Sequence, residues 1–180
     1  MADHLSQDNF QGDVKRRYVS DLFSRIAPRY DLMNTVMTGG MHHRWRSVAV
    51  KAATRDLEGA ALDVATGTGD LAFTLARAQG ISSVIGLDLL PEMVVRARSK
   101  SHHRATGYDI QFMVGDALSL PFPDNTFACI TSGWGLRNMP DLRRSLEEMT
   151  RVVRPGGRVV ALESLPVQGG LFQYPFRLFF

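Results

Sequence analysis

The 180-residue chain has 44% apolar residues and a net charge of +3, which is typical of one globular domain and excludes disordered and fibrous proteins. No stretch approaches the roughly 20 apolar residues of a membrane span, and the start, MADHLSQDNF, lacks the features of a signal peptide. We therefore expect a cytoplasmic protein. The single cysteine, Cys129, cannot form an internal disulfide and is predicted to be a small core residue.

Positive charge is concentrated at the start of the chain. Residues 1–55 contain nine Lys or Arg and five Asp or Glu, a net +4, whereas residues 56–180 carry −1. A basic segment suits an anionic membrane surface or an acidic ligand, but ordinary surface arginines are the simpler explanation because no basic run is present. The chain has no basic stripe with stacking aromatics, so a nucleic-acid partner is not expected.

The first 57 residues have helical periodicity. One apolar face over residues 14–26 ends at Pro28, and a second over residues 45–52 follows the pair Gly39-Gly40. We expect residues 1–57 to form a helical lead-in that folds over one end of the next domain and caps the substrate site.

From residue 58 onward, short apolar strands alternate with amphipathic helices. This alternation predicts an α/β fold, a parallel sheet with helices on both faces, because each crossover is right-handed and must cover the sheet. Ligands in such folds bind where the carboxyl ends of the strands meet the following loops. The predicted strands are 61–66, 83–88, 110–116, 127–134 and 158–164, and the predicted helices are 70–79, 91–104 and 140–153.

The first strand runs into a glycine turn in the sequence LDVATGTGDLA. Gly67 and Gly69 fit a dinucleotide fingerprint, and Asp88 at the end of the second strand would be its ribose-binding acid. An NAD-dependent oxidoreductase is therefore one interpretation. Asp63 and Asp70 flank the turn, however, and would repel a pyrophosphate but attract the amino and sulfonium groups of S-adenosylmethionine.

A further acid follows the third strand. Asp116, with the backbone of Ala117, is placed to bind the edge of an adenine ring, although a turn cap is an alternative role. Four aspartates on the loop side of the sheet together indicate an S-adenosylmethionine site. Leu89, next to Asp88, and Gly133, at the end of the fourth strand, complete the predicted cofactor contacts.

The fourth strand ends in SGWGLRNMP, which should lie beside the sulfonium. Trp134 either packs under this loop or makes a cation–π contact with the cofactor. Arg137 and Asn138 are strong hydrogen-bonding groups at the mouth of the cleft and are predicted to bind an oxygen of the substrate. No metal site is expected, because the adjacent His42 and His43 lack partners at metal-ligand spacing.

Three stretches of the chain resemble one family. YDLMNTVMTGGMHHRW, which begins at Tyr30, is similar to the signature of the ubiquinone/menaquinone biosynthesis C-methyltransferases, and LPFPDNTFACITSGWGLRN and MTRVVRPGGRVVALE resemble later blocks of that family. The resemblance covers about residues 14–165. It implies a Rossmann-like class I S-adenosylmethionine-dependent methyltransferase that methylates a ring carbon of a prenylated quinol, such as demethylmenaquinol or a related benzoquinol.

The resemblance also implies roles for individual residues. Tyr30, Arg137 and Asn138 would face the quinol. Our hypothesis is that Arg137 stabilises the quinolate oxygen, directly or through a water, while Tyr30 and Asn138 orient the ring. Asp31 would support these groups. Cofactor contacts are implied for Thr68, Asp88, Asp116 and Ala117.

Members of this family continue beyond the point that matches Phe180, with a last helix and an antiparallel strand pair. The resemblance therefore implies a shortened form in which residues 166–180 are an apolar tail. A non-catalytic cofactor-binding module and a different small-molecule methyltransferase remain alternatives, the latter differing in the loops 27–45 and 133–139. A lipid-tailed quinol implies transient contact with the inner membrane surface, and the sequence leaves a homodimer open.

Overall fold

The computed structural model describes residues 30–104 and 107–163, although the side chain of Tyr30 is not described. The helix predicted over residues 14–26 and the tail 166–180 lie outside these ranges. No helix in the described part of the chain combines the length and hydropathy needed to cross a bilayer.

Two helices precede an alternation of strands and helices. The helices are α1 (Tyr30–Thr38), α2 (Met41–Thr54), α3 (Asp70–Ala76), α4 (Pro91–Arg104) and α5 (Leu142–Val152). The strands are β1 (Gly59–Val64), β2 (Ile81–Asp88), β3 (Ile110–Val114), β4 (Phe127–Gly133) and β5 (Val153–Leu162), with a short 3-10 turn at Leu136–Asn138. The predicted order of elements is confirmed.

The largest boundary difference is the start of β5, which was expected at residue 158. The strand begins directly after α5, because Val153 pairs with Phe127 before the register shifts and Arg158 pairs with Cys129. Gly157 lies within this shift, and a Cβ there would stand 2.6 Å from the carbonyl oxygen of Ala128. A glycine is therefore required at this position, because a Cβ would clash with the backbone of β4.

The five strands form one parallel sheet in the order β3-β2-β1-β4-β5. After β1, the chain adds β2 and β3 on one side of this strand. It then crosses to the other side, where β4 and β5 follow, so the strand order reverses between β1 and β4. Val64 is level with Leu87, and Asp63 is level with Thr131. Three carboxyl ends therefore meet at one edge, where a cleft is expected.

Apolar side chains cover both faces of the sheet, as predicted. On one face, α2, α3 and α4 contribute Val50, Leu75 and Val94, whereas α5 contributes Met149 and Val152 to the other. Cys129 is fully buried on the first face, and burial raises the pKa of its thiol to about 11. Its predicted role as a core residue is confirmed.

The ring of Phe112 fills the space beneath the glycine turn. A Cβ at Gly69 would lie 2.7 Å from the Phe112 Cζ, and a Cβ at Gly86 would lie 2.5 Å from its Cδ1. The ring also makes an edge contact with Phe73, with centroids 5.4 Å apart. Two glycines thus let one aromatic side chain support the turn from below.

Candidate cofactor and substrate site

A cleft lies at the carboxyl ends of β1 to β4. Its lining is mostly apolar side chains and glycine backbone, with two carboxylates, as is usual for small-molecule sites. It brings together seven of the residues predicted from the sequence: Gly67, Asp88, Leu89, Asp116, Ala117, Gly133 and Asn138.

The Asp88 carboxylate is fixed by two backbone donors. The Gly67 N–H donates to Oδ2 at 2.7 Å, and the Leu90 N–H donates to Oδ1 at 3.0 Å. Burial raises the pKa of this carboxyl above its usual value, and the backbone hydrogen bonds offset only part of that effect. Each oxygen retains a second lone pair, so the group can also accept two ribose hydroxyls.

Asp116 begins a turn that carries the wall of the cleft next to the predicted adenine position. Its Oδ1 accepts the Leu118 N–H at 2.9 Å, and its carbonyl accepts the Ser119 N–H at 3.1 Å. The turn cap considered as an alternative is therefore present, and it orients the carboxylate within the cleft.

Two charged residues of α5 hold the chain that follows this turn. Glu148 accepts the Leu120 N–H at 2.8 Å, and Arg151 donates to the Leu120 carbonyl at 3.0 Å. Hydrogen bonds from Arg151 lower the pKa of Glu148 to about 2, so the pair stays charged at neutral pH. These two residues were not predicted, since their only signal in the sequence is their spacing on one face of an amphipathic helix.

Asp63 lies beneath the turn, away from the cleft lining. Only 1% of it is exposed, and its carboxylate accepts the hydroxyls of Thr66 at 2.6 Å and Thr131 at 2.7 Å. Burial raises its pKa to about 6. Asp63 therefore ties the turn to β4.

Asp70 points to the helical side of the turn, where three cations surround it. Lys100, Arg104 and Arg46 approach its carboxylate at 2.5, 3.0 and 3.1 Å. Burial would raise its pKa, but the three cations outweigh burial and hold the pKa below the usual value.

These positions correct the geometry expected for the acids beside the turn. Neither Asp63 nor Asp70 presents its charge to the cleft, because each carboxylate already has its partners within the protein. The repulsion expected between these acids and a pyrophosphate therefore loses its structural basis, and the choice of cofactor rests on other observations.

Asp31 of α1 belongs to the same network. Thr68 donates to its Oδ1 at 2.5 Å, and Lys100 donates to its Oδ2 at 2.8 Å. Neither Asp31, Thr68 nor Gly69 lines the cleft. Thr68 and Asp31 instead fasten α1 to the turn, while the roles predicted for them in cofactor and substrate binding stay predictions.

Trp134 forms part of the cleft wall and has a positive φ of 55°. The guanidinium carbon of Arg46 lies 5.5 Å from the centre of the Trp134 ring, and the centroids of the Trp45 and Trp134 rings are 6.5 Å apart. Ala65, at the end of β1, also has a φ of 55° and also lines the cleft. Residues with strained backbone angles are often found at functional sites, where the surrounding structure stabilises them.

The following 3-10 turn carries the residues predicted to bind substrate. Asn138 lines the cleft, and its Nδ2 donates to the Trp134 carbonyl at 3.2 Å. Arg137 lies beside it, outside the lining, with Nε 3.8 Å from a carboxylate oxygen of Glu163. The other Glu163 oxygen accepts the Leu136 N–H at 3.0 Å. Glu163 thus anchors both the turn and Arg137.

Comparison with known proteins identifies the family. The model of the ubiE/COQ5 methyltransferase family matches residues 11–180. The chain belongs to this family. Membership of this family makes it an S-adenosylmethionine-dependent methyltransferase, which confirms the family, enzyme class and cofactor expected from the sequence.

Two curated relatives illustrate the similarity. The demethylmenaquinone methyltransferase of Thermus thermophilus is 43% identical over 159 residues, which are 88% of this chain and 71% of that protein. The ubiquinone/menaquinone biosynthesis C-methyltransferase UbiE of Cellvibrio japonicus is 42% identical over 161 residues, 89% of this chain and 65% of that protein. The chain thus spans about two thirds of the length of these relatives.

A solved structure shares the fold. Phosphoethanolamine N-methyltransferase 1 of Haemonchus contortus, in complex with phosphoethanolamine and S-adenosylhomocysteine, has a TM-score of 0.67. The match covers 87% of this chain and 34% of that chain at 16% identity, so it shows the fold alone.

We predict that Asp70→Asn destabilises the protein at neutral pH. The change leaves three cations without their shared carboxylate, and breaking a buried ion pair costs roughly 3–5 kcal/mol, so the free energy of unfolding in urea should fall by about 3 kcal/mol at pH 7. Because the folded pKa of Asp70 is depressed, its stabilisation is present above the unfolded pKa of about 4 and is lost as the pH falls further.

The difference in the free energy of unfolding between wild type and Asp70→Asn should therefore become smaller as the pH is lowered below about 4. Asp56→Asn is the matched control, since Asp56 is exposed and its ion pair with the exposed Arg55 is long, at 3.8 Å. A stability difference that is absent at pH 7, or that does not change with pH, would contradict this role of Asp70.

Proposed function

We propose that the protein transfers a methyl group from S-adenosylmethionine to a ring carbon of a prenylated quinol. The observation that carries this proposal is the family match, which extends through both the segment around Tyr30 and the loop of Arg137 and Asn138. The relatives at 43% and 42% identity bear the names demethylmenaquinone methyltransferase and ubiquinone/menaquinone biosynthesis C-methyltransferase.

The chemistry of the cleft fits the cofactor. Asp88 would accept the ribose hydroxyls, and the Asp116 turn with Ala117 would bind the adenine edge. Gly67 and Gly133 line part of the wall, where a ligand can approach the backbone closely. When bound, S-adenosylmethionine supplies an activated methyl group on a positively charged sulfur.

On the acceptor side, the protein must align the ring and increase its electron density. Arg137 is permanently charged, so it is a poor base, but it can stabilise a quinolate oxygen. Asn138 is held by the Trp134 carbonyl and can orient the ring from a fixed position. Alignment of the ring with the activated methyl group contributes up to about 7–11 kcal/mol in favourable reactions.

The test is methyl transfer from labelled S-adenosylmethionine to demethylmenaquinol and to the corresponding benzoquinol. We expect label in at least one quinol. Arg137→Ala should bind S-adenosylhomocysteine as wild type does, but should lower kcat about 10²–10³-fold because an oxyanion partner is lost.

Arg143→Ala is the control for this experiment, since Arg143 is an exposed arginine of α5 whose side chain is 90% accessible. Transfer to neither quinol would contradict the proposed acceptor. Wild-type turnover by Arg137→Ala would contradict only the role of Arg137.

We further propose that the protein touches the inner membrane surface transiently through α2. Met41, Arg44, Val48 and Lys51 are exposed and lie at spacings of three and four residues, so they share one face of this helix. The helix contains no acidic residue. A face of apolar and basic side chains suits an anionic lipid surface, where a prenylated substrate resides.

Vesicle sedimentation tests this contact. Wild type should bind vesicles with anionic phosphatidylglycerol more than neutral phosphatidylcholine vesicles, and Arg44→Glu should weaken the anionic binding about fivefold or more. Arg143→Glu makes the same charge change on α5, on the other face of the sheet, and should have little effect. Equal effects of the two variants would argue against a contact through α2.

A further inference from the structure

The cleft contains no cation for one end of the cofactor. S-adenosylmethionine carries a carboxylate on its amino-acid portion, and the described residues that line the cleft include Asp88 and Asp116 but no Lys, Arg or His. A ligand carboxylate in such surroundings would be repelled by like charges and left without a charged donor. A cation directly behind the lining would supply that donor.

Arg46 of α2 is a buried cation with an unused donor. Only 5% of the residue is exposed. Its Nη1 lies 3.1 Å from an oxygen of Asp70, yet this nitrogen makes no hydrogen bond. Buried N–H groups in native proteins nearly always have an acceptor, so an acceptor that arrives with a ligand would complete this site.

The position of Arg46 matches the amino-acid end of the cofactor. Asp70 directly follows the glycine turn, and the guanidinium carbon of Arg46 lies 5.5 Å from the centre of the Trp134 ring, which forms part of the cleft wall. Arg46 is therefore placed between the turn and the loop after β4. With the ribose on Asp88, the amino-acid portion would extend towards this gap.

The other cations near Asp70 are already engaged. Lys100 has three N–H protons, and its Nζ donates to Asp31, Thr68 and Asp70. Arg104 is exposed and donates to the same Asp70 oxygen. Among the described residues around this carboxylate, Arg46 is thus the buried cation that retains a free donor.

We propose that Arg46 binds the carboxylate of S-adenosylmethionine and holds the amino-acid portion of the cofactor against the glycine turn. Asp70 would orient the guanidinium, and Trp134 would support its flat face by a cation–π contact. The inference rests on S-adenosylmethionine as the methyl donor and does not depend on which acceptor is methylated.

Calorimetry with three ligands tests this role without catalysis. S-adenosylhomocysteine has the carboxylate, decarboxylated S-adenosylhomocysteine lacks only that group, and 5′-methylthioadenosine lacks the whole amino-acid portion. Wild type should bind S-adenosylhomocysteine about 10–100-fold more tightly than the decarboxylated form, as expected for hydrogen bonds to a charged group.

Arg46→Met should reduce this preference to less than about threefold while leaving the affinity for 5′-methylthioadenosine unchanged, and Arg46→Lys should restore part of it. Arg143→Met, at an exposed arginine of α5, is the matched control and should keep the wild-type preference.

Two results would overturn the inference: wild type that does not discriminate between the two homocysteine ligands, or Arg46→Met that keeps the full preference. Should Arg46→Met fail to fold, the wild-type ratio and its reduction in Arg46→Lys decide the matter. If none of the three nucleosides binds wild type, S-adenosylmethionine is not the methyl donor. That result is distinct from binding of all three without discrimination, which would contradict only the role of Arg46.

Discussion

The hydrogen bond from the Gly67 N–H to the Asp88 carboxylate, 2.7 Å long, determines the shape of the site. It joins the glycine turn after β1 to the end of the neighbouring strand, whose register brings Val64 level with Leu87. A second bond from the Leu90 N–H orients the other oxygen. The carboxylate can therefore accept ribose hydroxyls without reorganising, because the chain itself fixes its position.

The helical lead-in depends on a different carboxylate. Asp70 forms ion pairs with cations of α2 and α4, and Lys100 also pairs with Asp31 of α1. Because these charges meet directly after the glycine turn, the described part of the lead-in is fastened to the same turn that forms the cleft. Arg46 takes part in this network and also contacts Trp134, so it links the lead-in to the cleft wall.

Local patterns in the sequence predicted the order of the strands and helices and the positions of Asp88 and Asp116 at strand ends. They did not predict where Asp63 and Asp70 point, because the partners of these acids are distant in sequence. Thr131 is 68 residues from Asp63, and Lys100 is 30 residues from Asp70. Periodicity also gave no sign of the register shift that lets β5 begin at Val153.

The proposed function depends on a cleft that holds S-adenosylmethionine through Asp88. Calorimetric titration of wild type and Asp88→Asn with S-adenosylhomocysteine and with NADH tests it most directly. Wild type should bind S-adenosylhomocysteine but not NADH. Asp88→Asn should bind S-adenosylhomocysteine at least about tenfold more weakly, since hydrogen bonds to a charged acceptor are lost. Unchanged affinity for S-adenosylhomocysteine in Asp88→Asn, or tight binding of NADH, would contradict a cofactor site built on Asp88.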